Sequence, residues 1–264
     1  MPKLHNSEQL IGWIKLYPPK PFPLLNSSVL LDFCDLLETV GLMSEKGDVL
    51  QSFREDVLGA LQSNLLCLLH HGSRAKGEAR PDSDYDSVII TKKISKEVIT
   101  SLQSVFLKYP QFSLYLLSHD ELRTMPRGHC LEFLYAKPLY GSLDLELPTK
   151  EEAVNYIAYK RRDTLDIIRH MLTVPHPTER KTKLVYYSMK DAYICLSYLA
   201  FSEEGKLPQT RKQTIAYFRK KKKHSLGIRL LGILDNWDSY KEDVANTPDA
   251  YLYLLEEFFR KLHV

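Results

Sequence analysis

The sequence predicts an α+β fold in two parts, a mixed sheet with flanking helices followed by an all-helical bundle. Three observations predict it. From Leu65 to Ser118, short apolar runs alternate with helical periodicity, giving strand, helix, strand, helix, strand. After Tyr140-Gly141, extended patterns give way to long repeats of apolar residues at threes and fours. Between these regions Thr149 and Glu152 form a capping-box string that opens the first long helix. The expected organisation is an irregular segment 1–27, a sheet-bearing domain 28–147 and a helical domain 148–264.

Each element has its own signal. Pro18, Pro19, Pro21 and Pro23 punctuate the first segment and leave it without a period. Leu30, Leu31, Phe33, Cys34, Leu37 and Val40 predict a helix from Ser28 that ends at Gly41. Phe53, Val57, Leu58 and Leu61 share a face and predict a second helix from Val49 to about Asn64. Leu65 to His70 reads as a buried strand, Ser87 to Thr91 as a second, Ser95 to Lys108 as a helix, and "FSLYLLS" as a third strand. In the second half, helices are expected from Thr149 to about Leu172, from a Thr178 cap to Gly205, at Arg211–Lys221, at Leu226–Asp235, and from Asp249 to Leu262.

Composition sets bounds on function. Hydrophobic residues make up 44% and charged residues 26%, with a net charge of +3, so any contact with nucleic acid has to come from a local patch. Cys34, Cys67, Cys130 and Cys195 are far apart, with no CxxC pair and no zinc-finger spacing, as expected of buried thiols in a reducing cytoplasm. The start of the chain lacks a signal-peptide layout, and no segment has the roughly 20 apolar residues that span a bilayer. The expectation is a soluble cytoplasmic protein that makes no membrane contact.

The chemistry concentrates in "LLCLLHHGSRAKGEARPDSDYDSVII", Leu65 to Ile90. A nucleoside triphosphate needs backbone N–H groups and cations at its phosphates. Gly72 and Ser73, followed by an Arg74-Ala75-Lys76 helical start, supply a close-approaching turn, a hydroxyl and two positive charges. Magnesium that accompanies phosphates favours carboxylate oxygens. On a strand, residues i and i+2 share a face, so Asp84 and Asp86 are placed to chelate together while Tyr85 and Ser87 face the other way.

The ordered string "GSRAKG", then "SDYD", then an apolar run resembles the signature of the polymerase-β-type nucleotidyltransferase superfamily. It is similar in particular to its minimal and kanamycin-type members, in which a helical, HEPN-like domain follows the catalytic module. The resemblance is tight from Gly72 to Ile90 and extends from about Asp48 to Gly141. It implies transfer of a nucleoside monophosphate, AMP from ATP, to a hydroxyl on a small molecule or a protein, with two Mg²⁺ ions. It makes Asp84 and Asp86 the catalytic metal ligands, and Gly72, Ser73, Arg74, Lys76 and Ser83 the nucleotide-binding set. A homodimer is compatible with it.

One departure stands out. The superfamily usually has a third carboxylate on a neighbouring strand, and "FSLYLLS" offers Ser113, Tyr115 and Leu117 there, with no acid. Asp120, Glu121, Glu132, Asp144 and Glu146 are the other acids in range along the chain. The alternative expectation is therefore a catalytically weakened, nucleotide-binding regulatory or antitoxin-like protein of the same fold.

Other features carry competing readings. "RKKKKH", Arg219 to His224, reads as a solvated helix end, a nucleic-acid contact, or the Arg-x4-His spacing of HEPN ribonucleases. His70 and His71 read as strand-end residues or as phosphate contacts, and Tyr186, Tyr187, Tyr251 and Tyr253 as inter-helix packing or acceptor-groove aromatics.

Overall fold

The structure, a computed structural model, describes residues 46–81, 83–143 and 145–263. The expected irregular segment 1–27 and the helix from Ser28 lie outside them, as do Cys34 and Asp144. By internal contacts the described chain divides into two units, residues 46–124 with 136–143, and residues 125–135 with 145–263.

The first unit is built on a four-stranded sheet. Its strands are β1 (Leu65–His71), β2 (Tyr85–Thr91), β3 (Phe112–Ser118) and β4 (Lys137–Tyr140), in the order β3-β2-β1-β4. β1 pairs antiparallel with β2 and with β4, while β2 and β3 run parallel, so the sheet is mixed. Helix α1 (Lys46–Leu61) precedes β1, the short α2 (Gly72–Lys76) follows it, α3 (Lys96–Lys108) links β2 to β3, and α4 (His119–Thr124) follows β3.

Amphipathic patterning explains the layering. Phe53, Val57 and Leu61 of α1 join Val98, Leu102 and Val105 of α3 over Leu68, Ile89 and Phe112 of the sheet. Phe53 is fully buried and stacks on Phe112 with ring centroids 3.9 Å apart. At the rim, Lys108 Nζ and the Tyr109 hydroxyl both donate to Asp56 Oδ2, at 2.6 and 2.7 Å, tying α3 to α1. The opposite sheet face carries Cys67, Leu69, Val88, Ile90 and Leu117, which are also buried.

β4 was not foreseen. It holds Lys137 and Pro138, is largely exposed, and lies at the sheet edge, where a proline costs no interior ladder bond. Arg54 Nε donates to the Leu139 carbonyl at 2.7 Å and fastens this edge to α1.

The second unit is helical among its described residues. It contains α5 (Arg127–Cys130), a 3-10 turn (Leu131–Phe133), α6 (Lys150–Thr173), α7 (Thr178–Glu204), α8 (Arg211–Lys221), α9 (Ser225–Asp235), α10 (Trp237–Asn246) and α11 (Pro248–Lys261). The capping box forms as expected, with the Glu152 amide donating to the Thr149 hydroxyl at 3.1 Å and the Thr149 amide donating to Glu152 Oε2 at 2.7 Å. Thr178 is the first residue of α7 and does not cap it; Pro177 holds the cap position and makes no side-chain bond. α7 is the central helix. Every residue from Cys195 to Phe201 is buried, and α6, α8, α9, α10 and α11 all pack on α7. The helix α10 was also missed, because only Trp237 and Val244 on it are buried.

Tyr251 is buried in this core and Tyr186 packs against it, but Tyr187 and Tyr253 are exposed, so the expected inter-helix packing holds for two of the four tyrosines. No helix of the described residues is long and apolar enough to cross a membrane. Cys67, Cys130 and Cys195 are free and buried.

Candidate active site

The Gly72 turn and the start of β2 are brought together by register. β1 ends at His71, which pairs with Asp86 across the antiparallel ladder, and Asp86 pairs on its other side with Ser113 of β3. Strand alternation puts the side chains of His71, Asp86 and Ser113 on one face. Immediately after His71 the chain turns at Gly72, whose φ of +75° is the left-handed geometry that favours glycine.

Gly72 is needed for a second reason. A Cβ at Gly72 would overlap Asp86 Oδ2 and stand 2.7 Å from Asp86 Cγ. The carboxylate therefore lies directly over the bare Cα of the turn. Its other oxygen, Oδ1, accepts from the Ser113 hydroxyl at 2.9 Å. Ser87, one residue on and facing the other way, donates to the Ser113 carbonyl, and Tyr85 stacks on Phe112 in the α1/α3 layer.

From Gly72 the chain enters α2. His71 occupies the cap position, and its side chain makes no capping bond to the leading amides of this short helix. Gly77 ends it in left-handed geometry, and the Glu78 amide donates to the Ser73 carbonyl at 2.8 Å. Ser73 and Lys76 are partly exposed on α2.

The loop back to β2 carries Ser83 and Asp84. Arg80 and Ser83 are tied by two bonds, the Ser83 amide to the Arg80 carbonyl at 3.1 Å and the Arg80 amide to Ser83 Oγ at 3.0 Å. Asp84 precedes the first residue of β2, is exposed, and has no side-chain partner among the described residues. The two acids thus differ: Asp86 is held from both sides, while Asp84 projects from the strand entrance.

Arg74 does not extend freely from α2. Its Nε donates to the Ser83 carbonyl at 2.7 Å, its Nη2 donates to the Pro81 carbonyl at 3.1 Å, and its guanidinium carbon sits 4.3 Å from the Tyr85 ring centroid. His70 faces the α1/α3 layer, where it pairs across the ladder with Ser87 and lies 5.8 Å from the Tyr85 ring. It is 6% exposed, its Nε2 has no partner, and burial, reinforced by His71, Lys137 and Arg74, pushes its pKa down to about 4. His70 is therefore neutral at pH 7 and inside the layer.

The other acids named from the sequence are placed elsewhere. Glu121 caps α4, accepting from the Ser118 amide at 2.9 Å while its own amide donates to Ser118 Oγ at 3.2 Å. Asp120 lies in the first turn of the same helix and is exposed. Glu132 accepts from the Tyr156 hydroxyl and Glu146 pairs with Arg127 at 2.6 Å, both within the helical unit. Position 113, beside Asp86 on the neighbouring strand, is a serine.

The basic run ends α8. Lys221 pairs with Glu204 at 3.0 Å and Lys223 with Glu203 at 3.4 Å, so part of its charge is balanced within the unit. Among the described residues no group of three or more His, Cys, Asp or Glu side chains forms a metal cluster.

No family model matches the chain, and no curated protein does either. Solved structures do. The spectinomycin adenyltransferase AAD(9) from Enterococcus faecialis, determined with ATP and spectinomycin, is 14% identical over 80% of this chain and 98% of that one, with a TM-score of 0.51. A toxin-antitoxin structure with AMP-PNP is 14% identical over 45% of this chain and 98% of that one, but its TM-score of 0.29 is too low to bear on the fold. With the mixed sheet, its flanking helices and the helical second unit, the likeness to AAD(9) shows that this chain has a nucleotidyltransferase-type fold.

Proposed function

We propose that this chain is a Mg²⁺-dependent nucleotidyltransferase that moves a nucleoside monophosphate, AMP from ATP, onto a hydroxyl of a small molecule or protein. The observation that carries this reading is the seating of Asp86 over Gly72, which sets a fixed carboxylate beside the turn that opens α2, whose leading amides are not capped by the His71 side chain. The residues present suit magnesium, which commonly takes one or two protein carboxylates and completes its shell with phosphate oxygens and water. Asp84 and Asp86 would hold it, and when bound it would neutralise charge on the α-phosphate and the departing pyrophosphate.

The chain's own groups have separable tasks. The amides from Gly72 onward, the Ser73 and Ser83 hydroxyls and the Lys76 ammonium receive the triphosphate. In the transfer, the acceptor oxygen bonds to the α-phosphorus, the α–β anhydride bond breaks, pyrophosphate leaves and the acceptor hydroxyl gives up its proton. Free buried thiols suit a reducing cytoplasm as its place of action. AAD(9) was determined with ATP and spectinomycin, so small polyhydroxylated molecules are the first acceptors to try.

A second reading rests on Ser113. With a hydroxyl where a third acid would stand beside Asp86, the chain suits nucleotide binding better than turnover, as in a regulatory protein of this fold. Incubation with Mg²⁺ and α-labelled ATP across an acceptor panel separates the two. Label transfer with pyrophosphate release supports the enzyme, and tight Mg²⁺-dependent ATP binding without transfer supports the regulator. Absence of Mg²⁺-dependent ATP binding defeats both.

A further inference from the structure

We infer that Arg74 is a positioning residue for Asp84, fixing the strand entrance that carries this acid, and is not a contact to the triphosphate. The inference rests on the proposed function. As an arginine in a basic pair after a glycine-serine turn, Arg74 looks like a phosphate ligand by residue type. Its geometry assigns it elsewhere. Two of its guanidinium nitrogens donate to carbonyls of its own chain, Nε to Ser83 at 2.7 Å and Nη2 to Pro81 at 3.1 Å.

The guanidinium is also the outer end of a stacked column. It lies 4.3 Å from the Tyr85 ring centroid; Tyr85 stacks on Phe112 at 4.8 Å and 16°, and Phe112 on Phe53 at 3.9 Å and 19°. Phe53 has no exposed surface, so the column runs from the loop to the centre of the α1/α3 layer. The Tyr85 amide donates to the Gln111 carbonyl at 2.9 Å and pins the same point to the β3 side.

Asp84 sits between the two residues that Arg74 holds, Ser83 by its carbonyl and Tyr85 by its ring. It is exposed and makes no side-chain bond of its own among the described residues. Asp86, in contrast, is seated over Gly72 and accepts from the Ser113 hydroxyl. The direction of Asp84 is thus set through its neighbours' backbone, and Arg74 provides the restraint. Lysine cannot replace it, because an ammonium lacks both the two-nitrogen fork and the planar face.

The test compares Arg74→Ala and Arg74→Lys with the wild type in three measurements. The first is amide exchange in peptides covering Ser83 and Asp84. The second is the Mg²⁺ concentration that half-saturates ATP binding, and the third is the affinity for ATP in EDTA. The expected result is at least tenfold faster exchange at Ser83 and Asp84 and at least a tenfold higher Mg²⁺ requirement. Metal-free ATP affinity should stay within twofold, and Arg74→Lys should behave like Arg74→Ala. Unchanged exchange, or an equal loss of ATP affinity with and without Mg²⁺, overturns the inference and makes Arg74 a phosphate contact. Failure of the wild type to bind ATP with Mg²⁺ defeats the proposed function instead, and the exchange measurement still decides whether Arg74 holds the loop.

Discussion

The carboxylate of Asp86 rests on the Cα of Gly72, with Asp86 Cγ 2.7 Å from where a side chain on that residue would begin. One residue thus serves two purposes: it permits the left-handed turn and it leaves room for the acid. Gly72→Ala is expected to break both. The backbone strain alone costs about 1–2 kcal/mol, and Asp86 must also move off its Ser113 partner. Gly77 is the internal control, since its φ is +73° but a Cβ there meets nothing within 4 Å. Gly77→Ala should therefore lose about 1 kcal/mol of stability and keep ATP binding, while Gly72→Ala loses both. Calorimetric titration with ATP and Mg²⁺, beside thermal melts, distinguishes them.

Ser113 offers a test in the opposite direction. Ser113→Asp places a second carboxylate beside Asp86 in the parallel register, where like charges repel. Without metal this variant should melt lower than the wild type, and Mg²⁺ should restore its melting temperature while hardly changing that of the wild type. A rise in label transfer would mean that the missing third acid limits the chemistry. If Mg²⁺ does nothing for the variant's stability, the face carrying Asp86 is not a metal face.

His70 predicts a pH dependence. Its folded pKa of about 4 lies below the ordinary value of 6.5, so between those values the unfolded chain binds a proton that the folded chain refuses. Stability therefore falls as pH drops from about 6.5 to 4, by on the order of 3 kcal/mol at full extent. His70→Gln, which does not titrate, should flatten this part of the curve in urea melts taken at several pH values. An unchanged slope would show that other groups cause the acid loss.

In the helical unit, Lys160 Nζ meets Asp191 Oδ1 at 2.9 Å, and Asp191 Oδ2 accepts from the Thr164 hydroxyl at 3.1 Å. Both charged side chains are about three-quarters buried, being 24% exposed each. Lys160→Ala leaves Asp191 without its counter-charge and should cost roughly 2–3 kcal/mol, somewhat less than for a fully buried pair. The double variant Lys160→Met/Asp191→Leu should recover most of that loss. Chemical denaturation of the single and double variants checks the coupling.

Much of this was legible in the sequence where chemistry and periodicity coincide. The run from Leu65 to Ile90 gave away its turn and strands because a glycine, a basic pair and alternating acids sit between two apolar stretches. Thr149 and Glu152 announced α6 because a capping box is a local interaction. β4 stayed hidden because an edge strand with Lys137 and Pro138 is held by a partner distant in sequence. α10 stayed hidden because it buries only two side chains. Arg74 shows a different limit: residue type announces a cation, but only the fold reveals that its donors turn toward its own loop. The bond from Ser113 to Asp86 joins residues on parallel neighbours and depends on register, which a single sequence does not display.

The most direct test is titration of ATP into the wild-type chain and into Asp86→Asn, each with Mg²⁺ and with EDTA. Saturable binding that requires Mg²⁺ and is lost in the variant is the predicted result. Binding that ignores both Mg²⁺ and the Asp86 charge, or no binding by the wild type, would contradict the account.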